Sequence, residues 1–241
     1  MIRRQKVKLI LISLGILFVI ALIYPFNFIQ LNNPDKFRYP VRGIDISRYQ
    51  SQIDWKKLAL EDISFIYIKA TEGVTRQDQM FEKHWKNALE NKFHVGAYHF
   101  YLVCRPAEAQ ADNFIKVVPY RSDALPPVID LEHEGSCWNR TLVKDKVDEI
   151  DIFLRKLEKY YRKTPIIYTN ERIHNRFVKG TKLERYPVWI TSINKAPHLS
   201  DNKWLIWQYT FKGKVKGIKV HTDLNVFNGT LRELQGLCEG R

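Results

Sequence analysis

Cysteine is scarce in this chain, and the few cysteines lack the spacing of a metal site. Only three of 241 residues are cysteine, Cys104, Cys137 and Cys238, and no two of them form a C-x-x-C motif. A zinc site built on cysteine is therefore not expected. Histidine does not replace it, because His99 and His133 lack the spacing of a ligand pair. We predict neither a metal nor any other cofactor.

Signatures of nucleic-acid and nucleotide binding are also missing. The chain has no basic helix and no zinc-finger pattern, although its formal net charge is +13, so nucleic acid is not an expected partner. It has no glycine-rich phosphate loop, which argues against an open doubly wound sheet that binds a nucleotide. The basic charge favours an anionic polymer such as a cell wall, or a membrane surface. A solvated, lysine-rich surface is the simpler alternative.

Charge is absent from residues 9–34. The apolar part of this stretch, 9–26, is about as long as a helix needs to cross a hydrocarbon core of roughly 30 Å. A cleavable signal peptide has a shorter apolar region of about 7–15 residues and a small-residue cleavage site, and no Ala-x-Ala follows here. We predict an uncleaved transmembrane signal anchor; a cleaved signal peptide and a buried core helix are the alternatives.

The charges around this anchor predict its orientation. Four basic residues lie within 1–8 and none of the first eight residues is acidic. A basic flank stays in the cytoplasm, so the chain is expected to be a single-pass protein of the cell membrane with its C-terminal part outside the cytoplasm. In that oxidising setting three cysteines predict one disulfide and one leftover thiol. Cys104 and Cys137 each follow a predicted strand, which makes them the preferred pair; three free thiols are the alternative.

The chain beyond a linker at 27–38 alternates between strand and helix patterns, which predicts a parallel sheet. Eight strands are expected, with a helix after only the first five, because the last third of the domain has no helical periodicity. The strands are 43–46, 65–70, 95–100, 127–132, 165–169, 187–190, 204–209 and 222–225. The helices are 54–61, 79–91, 106–118, 142–161 and 171–178. We predict an α/β fold, a TIM-like barrel with incomplete helices over 39–236, followed by a tail at 237–241.

Carboxylates stand out near the ends of these strands. Asp130 and Glu132 lie two residues apart at the end of the fourth strand, so both side chains point away from their apolar neighbours. Asp45 in the first strand and Asp223 in the last follow the same alternation. The first and last strands adjoin in a closed barrel, so these two aspartates are expected side by side at its mouth. Like charges in one site push their pKa values apart, as acid/base chemistry requires.

Aromatic and amide side chains crowd the same strand ends. Aromatic faces beside carboxylates and amides can hold sugar rings, although aromatics are favoured in strands for packing alone. The candidates for substrate binding are Tyr98, Phe100, Tyr168, Trp189 and Gln208.

Six motifs, in order along the chain, resemble those of the lysozymes of glycoside hydrolase family 25, the Chalaropsis-type N-acetylmuramidases. They are GIDISRYQ (43–50), YIKATEG (67–73), GAYHF (96–100), PPVIDLE (126–132), IIYTN (166–170) and WQYT…GI…TDLNVFNG (207–229). The resemblance implies a (β/α)5β3 barrel that hydrolyses the β-1,4 bond between N-acetylmuramic acid and N-acetylglucosamine in peptidoglycan glycan strands. It also implies that Glu132 is the general acid and that Asp130, Asp45 and Asp223 are supporting carboxylates.

The spacing of Asp130 and Glu132 does not choose between stereochemical outcomes. Their Cα atoms are expected about 6.5–7 Å apart, and side chains can span the ~5–5.5 Å of retaining or the ~6.5–9.5 Å of inverting enzymes. We expect the substrate's own 2-acetamido group to act as the nucleophile, oriented by Asp130. A catalytically silent glycan-binding protein of the cell wall on the same barrel is the alternative. The sequence leaves open the role of loop 133–140, the oligomeric state and whose peptidoglycan is attacked.

Overall fold

The computed structural model describes residues 33–132, 143–199 and 204–239, together with three isolated helical positions, Gln5, Ser13 and Gly15. The chain divides into two compact units, Met1–Asn33 and Pro34–Arg241. The predicted anchor at 9–26 lies outside the described residues except for Ser13 and Gly15, and loop 133–140 lies outside them altogether. Within the described residues, no helix is both long and apolar enough to cross a membrane.

Among the described residues of the second unit, nine strands form one sheet. They are β1 (Arg42–Ile46), β2 (Phe65–Glu72), β3 (Arg76–Gln77), β4 (His94–Phe100), β5 (Val128–Leu131), β6 (Ile166–Asn170), β7 (Val188–Thr191), β8 (Ile206–Gly213) and β9 (Thr222–Phe227). Eight of them close into a barrel in the order β1-β2-β4-β5-β6-β7-β8-β9, and β9 pairs with β1. The short β3 pairs only with the end of β2. All eight predicted strands are confirmed, and β3 is the one that the sequence did not predict.

The expectation of a parallel sheet is wrong at the last strand. β9 runs antiparallel to both of its neighbours, β8 and β1, whereas the other adjacent pairs of the barrel are parallel. The connection from β8 to β9 is only residues 214–221, and a crossover to a parallel strand needs about a dozen residues or more. The chain therefore turns back as a hairpin. This reversal brings Asp223, at the start of β9, to the mouth formed by the C-terminal ends of the parallel strands.

Helices follow the first five barrel strands, as predicted. They are α1 (Trp55–Leu58), α2 (Phe81–Glu90), α3 (Ala107–Val117), α4 (Val143–Tyr161) and α5 (Glu171–Ile173), which continues into a π turn (His174–Val178) and a 3-10 turn (Lys182–Arg185). A further 3-10 turn (Arg48–Gln50) follows β1. Helix α6 (Leu231–Cys238) follows β9 and was not predicted, although Thr230 and Glu233 form a capping box at its start.

Alternating side chains give the barrel an inner and an outer apolar layer. Phe65, Tyr67 and Trp189 belong to the inner cluster, whereas Ile44 and Ile129 belong to the outer one, which includes the buried faces of the helices. The inner rings need room, and Gly96 provides it, since a Cβ there would lie 2.1 Å from the Tyr67 ring. The interior of the barrel is thereby filled with aromatic rings.

The outer face of β8 is covered by the segment that precedes β1. The Tyr39 ring lies 5.6 Å from Trp204 and 6.0 Å from Trp207. Arg42 donates hydrogen bonds to the Tyr209 hydroxyl at 3.1 Å and to the Pro34 carbonyl oxygen at 2.6 Å. Residues 34–41 therefore take the place that a helix occupies after the earlier strands.

Candidate active site

Four carboxyl groups meet in one pocket at the mouth of the barrel. Asp45 on β1 and Asp223 on β9 are register partners, which confirms the expectation that they lie side by side. Asp130 comes from β5 and is buried, as is Asp45. Glu132 follows the end of β5 and is exposed. The pocket therefore holds carboxyl groups in contrasting surroundings.

Four of the five predicted sugar-binding residues line the same pocket. They are Tyr98, Tyr168, Trp189 and Gln208, and Val128 completes the wall. Phe100 shares the inward face of β4 with Tyr98 but is not among the lining residues. Its ring lies 4.6 Å from the Lys69 ammonium. Alternation thus gave the correct face for Phe100 but not its depth in the barrel.

Two amides hold Asp45. Its Oδ2 accepts hydrogen bonds from Asn225 Nδ2 at 2.8 Å and from Gln208 Nε2 at 3.1 Å. Trp189 Nε1 donates to Asn225 Oδ1 at 2.9 Å. Asn225 lies two residues after Asp223 on β9, and strand alternation therefore gives it the same face.

The Asp45–Asp223 pair holds a proton near neutral pH. Burial raises the pKa of Asp223 to about 9, and the adjacent Asp45 carboxylate contributes to the rise. Burial also raises the pKa of Asp45, but hydrogen bonds from Asn225, Gln208 and Asp223 oppose that rise. Asp45 is the ionised member because two amide N–H groups donate to it, and Asp223 carries the shared proton.

Asp130 is a buried carboxyl group of the pocket. Its Oδ1 is buried and has no hydrogen-bond partner among the described residues. Burial raises the pKa of Asp130 well above its ordinary value, an ionised Glu132 raises it further, and Lys69 opposes the rise. Asp130 also lines the pocket, so its carboxyl group is within reach of a bound ligand.

Tyr168 connects Glu132 to the amides. Its hydroxyl oxygen lies 3.3 Å from Glu132 Oε2 and 2.9 Å from Gln208 Oε1. On the other side of the mouth, Lys69 Nζ forms an ion pair with Glu72 at 2.9 Å. Lys69 was not predicted, although it lies two residues after the inward-facing Tyr67 on β2.

Cys104 and Cys238 are not among the residues that line the pocket. Cys104 is in a disulfide and Cys238 is a buried free thiol. Cys137 lies outside the described residues, so the pairing of Cys104 with Cys137 stays a prediction. Across residues 33–132, 143–199 and 204–239, no group of three or more His, Cys, Asp or Glu side chains is arranged to hold a metal ion.

Comparison with known proteins identifies relatives of the whole barrel. Residues 44–218 match the family described as Glycosyl hydrolases family 25. The N,O-diacetylmuramidase of Chalaropsis sp is 34% identical over 83% of this chain and 100% of its own length. Lysozyme M1 of Streptomyces globisporus is 32% identical over 82% of this chain and 71% of its own.

A solved structure has the same fold. The structure of a family 25 glycosyl hydrolase from Bacillus anthracis aligns with a TM-score of 0.78 and 37% identity, over 85% of this chain and 96% of that one. The family match contains Asp45, Asp130 and Glu132, and it ends before Asp223. From the match and the shared barrel, we conclude that this chain belongs to the glycosyl hydrolases of family 25 and is a glycoside hydrolase of the lysozyme type.

Proposed function

We propose that this protein is a membrane-anchored lysozyme that hydrolyses the β-1,4 bond between N-acetylmuramic acid and N-acetylglucosamine in peptidoglycan. The observation that carries the proposal is the contrast between two carboxyl groups in one pocket. Glu132 is exposed at the mouth, while Asp130 is buried with one oxygen unpaired among the described residues. Glycoside hydrolysis needs such a pair, with one group donating a proton and the other stabilising positive charge on the sugar.

Glu132 is the proposed general acid. Its position at the open end of the pocket lets it protonate the oxygen that leaves from the cleaved bond. The carboxylate that remains is then a base for the water that completes hydrolysis, as microscopic reversibility requires.

Asp130 is the proposed partner of the substrate's 2-acetamido group. The Asp130 carboxyl group lines the pocket and can accept the acetamide N–H, which turns the acetamide oxygen towards the anomeric carbon. As that oxygen attacks, positive charge builds on the acetamide, and the buried carboxylate stabilises it. Asp130, whose pKa burial raises, is suited to take up the N–H proton as the cyclic intermediate forms. The acetamide oxygen and then water each displace a group at the anomeric carbon. Because each displacement inverts the configuration there, the product retains the configuration of the substrate.

Asp45 and Asp223 are proposed to hold neighbouring side chains of the pocket in place and to limit its charge. Ionised Asp45 fixes Gln208 and Asn225 through their amide groups, and Asn225 in turn holds the Trp189 indole. Trp189 and Tyr98 provide aromatic surface for a sugar ring. The protonated Asp223 keeps a second full charge out of the buried part of the pocket.

We also propose that residues 9–26 anchor the enzyme in the cell membrane with the barrel outside the cytoplasm. The support is the uncharged apolar length and the basic flank at 1–8. A periplasmic reporter fused after residue 241 is expected to be active. An inactive reporter, with an active cytoplasmic one, overturns the orientation.

The test of the activity uses the full-length chain on purified peptidoglycan. Reducing ends are measured and fragments are identified by mass. Glu132→Gln is expected to lower release by several orders of magnitude, because the isosteric amide cannot donate the proton. Glu82→Gln, which changes an exposed glutamate on α2, is the matched control and keeps wild-type activity.

The outcomes separate the competing functions. Retained anomers in the early products, followed by NMR, agree with acetamide participation, and inverted anomers contradict it. No release by the wild type, together with tight binding to the wall, favours the silent glycan-binding protein.

A further inference from the structure

The protons of the pocket can be assigned one by one, starting from the Trp189 indole. An indole N–H can only donate, and it donates to Asn225 Oδ1 at 2.9 Å. The amide nitrogen of Asn225 therefore faces the other way, towards Asp45 Oδ2 at 2.8 Å. This contact fixes the amide orientation of Asn225 without any assumption about the acids.

The next amide is fixed in the same manner. Asp45 Oδ2 lies 3.1 Å from Gln208 Nε2, and an ionised carboxylate only accepts. The carbonyl oxygen of Gln208 is thus turned to Tyr168, whose hydroxyl lies 2.9 Å away. An amide oxygen has no proton to give, so the Tyr168 hydroxyl donates its own.

The single proton of Tyr168 is then committed to Gln208. Glu132 Oε2 lies 3.3 Å from the same hydroxyl oxygen. If Glu132 were ionised, two oxygen lone pairs would face each other across this contact. A hydrogen bond forms there in only one way, with a protonated Glu132 carboxyl as the donor and Tyr168 as the acceptor.

We propose that Tyr168 is a positioning residue that accepts a hydrogen bond from the Glu132 carboxyl and so keeps this carboxyl in its acid form. The inference rests on the proposed role of Glu132 as general acid. It assigns to Tyr168 a function other than contact with a sugar. Once Glu132 has given its proton to the leaving oxygen, the contact with Tyr168 is lost, and the carboxylate is released to activate water.

The test compares the wild type with Tyr168→Phe in the full-length chain. The alkaline limb of the pH profile of kcat/KM reports the ionisation of the acid in the free enzyme. Tyr168→Phe removes the acceptor that stabilises the protonated Glu132 carboxyl. The alkaline limb is therefore expected to move to lower pH, by about 0.5–1 pH unit. Tyr120→Phe removes the hydroxyl of an exposed tyrosine that does not line the pocket. Its limb is expected to stay at the wild-type pH.

A second measurement does not depend on activity. Carbon-13 NMR of labelled glutamate carboxyl groups, with Glu132→Gln to identify the signal, gives the titration midpoint of Glu132 in each protein. The midpoint is expected to fall in Tyr168→Phe and to stay unchanged in Tyr120→Phe. A rise would mean that Tyr168 donates to an ionised Glu132, and a rise or an unchanged midpoint overturns the inference. A wild type that releases no glycan while the midpoint still falls would refute the proposed function and leave the proton assignment intact.

Discussion

Asp130 and Glu132 show how burial separates two residues that the sequence presents as equals. They lie two positions apart on one strand face, yet Asp130 is enclosed and Glu132 is open to solvent. The identity of the four acids could be predicted because strand alternation places them on one face. The hydrogen bonds among them could not, since Tyr168 is 36 residues from Glu132 and 40 from Gln208 in sequence.

Asp223 gives a prediction about stability and pH. Its folded-state pKa is raised to about 9 from an ordinary value of 3.8. A raised value means that its contribution to stability is fully present below about pH 3.8 and is lost as the pH rises towards 9. Asp223→Asn keeps the shape and does not titrate, so the variant is expected to gain stability relative to the wild type between these limits.

The measurement is thermal unfolding of both proteins at pH 4, 7 and 9. A pKa difference of one between the folded and unfolded states corresponds to about 1.4 kcal/mol, so the Tm difference is expected to grow by at least about 3 °C across the series. Asp145→Asn on the exposed face of α4 is the control for the loss of one charge. A Tm difference that is the same at all three pH values contradicts the assignment of the shared proton.

At the scale of elements, the strands could be predicted and the direction of one could not. Period-two patterns mark where a strand is but contain no information on its direction, so β9 was placed correctly and oriented wrongly. The direction of β9 is indicated by the length of the connection before it. Only the eight residues 214–221 separate Gly213 from Thr222, which is too short for a crossover to a parallel strand. Helix α6 shows the reverse case, in which a capping signal at Thr230 was present in the sequence and was not used.

Gly96 on β4 carries a prediction about packing of the barrel interior. A Cβ at this position would lie 2.1 Å from the Tyr67 ring, which is itself held by a hydrogen bond from its hydroxyl to the Pro126 carbonyl oxygen at 3.2 Å. Gly96→Ala is therefore expected to cost about 1–3 kcal/mol or more through overpacking. This corresponds to a fall in Tm of about 2–12 °C.

Gly236→Ala is the matched control for this change. Gly236 lies in α6, and a Cβ there meets nothing within 4 Å. Alanine favours a helix over glycine by roughly 0.5–1 kcal/mol, so this variant is expected to keep or raise the Tm. Equal changes in the two variants would show that the ring of Tyr67 yields to the added methyl group.

At the scale of the whole molecule, positive charge gathers on the hairpin beside the mouth. This rim hairpin, residues 211–221, exposes four lysines, Lys212, Lys214, Lys216 and Lys219. Lys216 forms an ion pair with Glu61 at 3.0 Å. The remaining three lysines are suited to the carboxylates of peptidoglycan stem peptides.

The charge of the rim hairpin predicts a salt-dependent affinity for the wall. Changing Lys212, Lys214 and Lys219 to Gln is expected to weaken binding to purified peptidoglycan about threefold or more at low salt, if each charge contributes about 0.2–1 kcal/mol. The loss shrinks at high salt because the charges are screened. A pelleting assay at two salt concentrations measures it.

The control variant makes the same charge change elsewhere, at Lys116, Lys159 and Lys179, which are exposed and outside the rim hairpin. An equal loss of binding in both triple variants would mean that net charge, and not the rim hairpin, governs attachment.

The reversed last strand also determines when the enzyme can first act. Asp45 and Asn225 meet across 180 positions of sequence, and β9 is the strand that joins β8 to β1. A nascent chain that has not yet been synthesised past residue 221 has an open sheet, and it lacks both Asp223 and the Asn225 amide that donates to Asp45. Such a chain cannot complete the pocket. Proteolytic removal of β9 is expected to have the same effect.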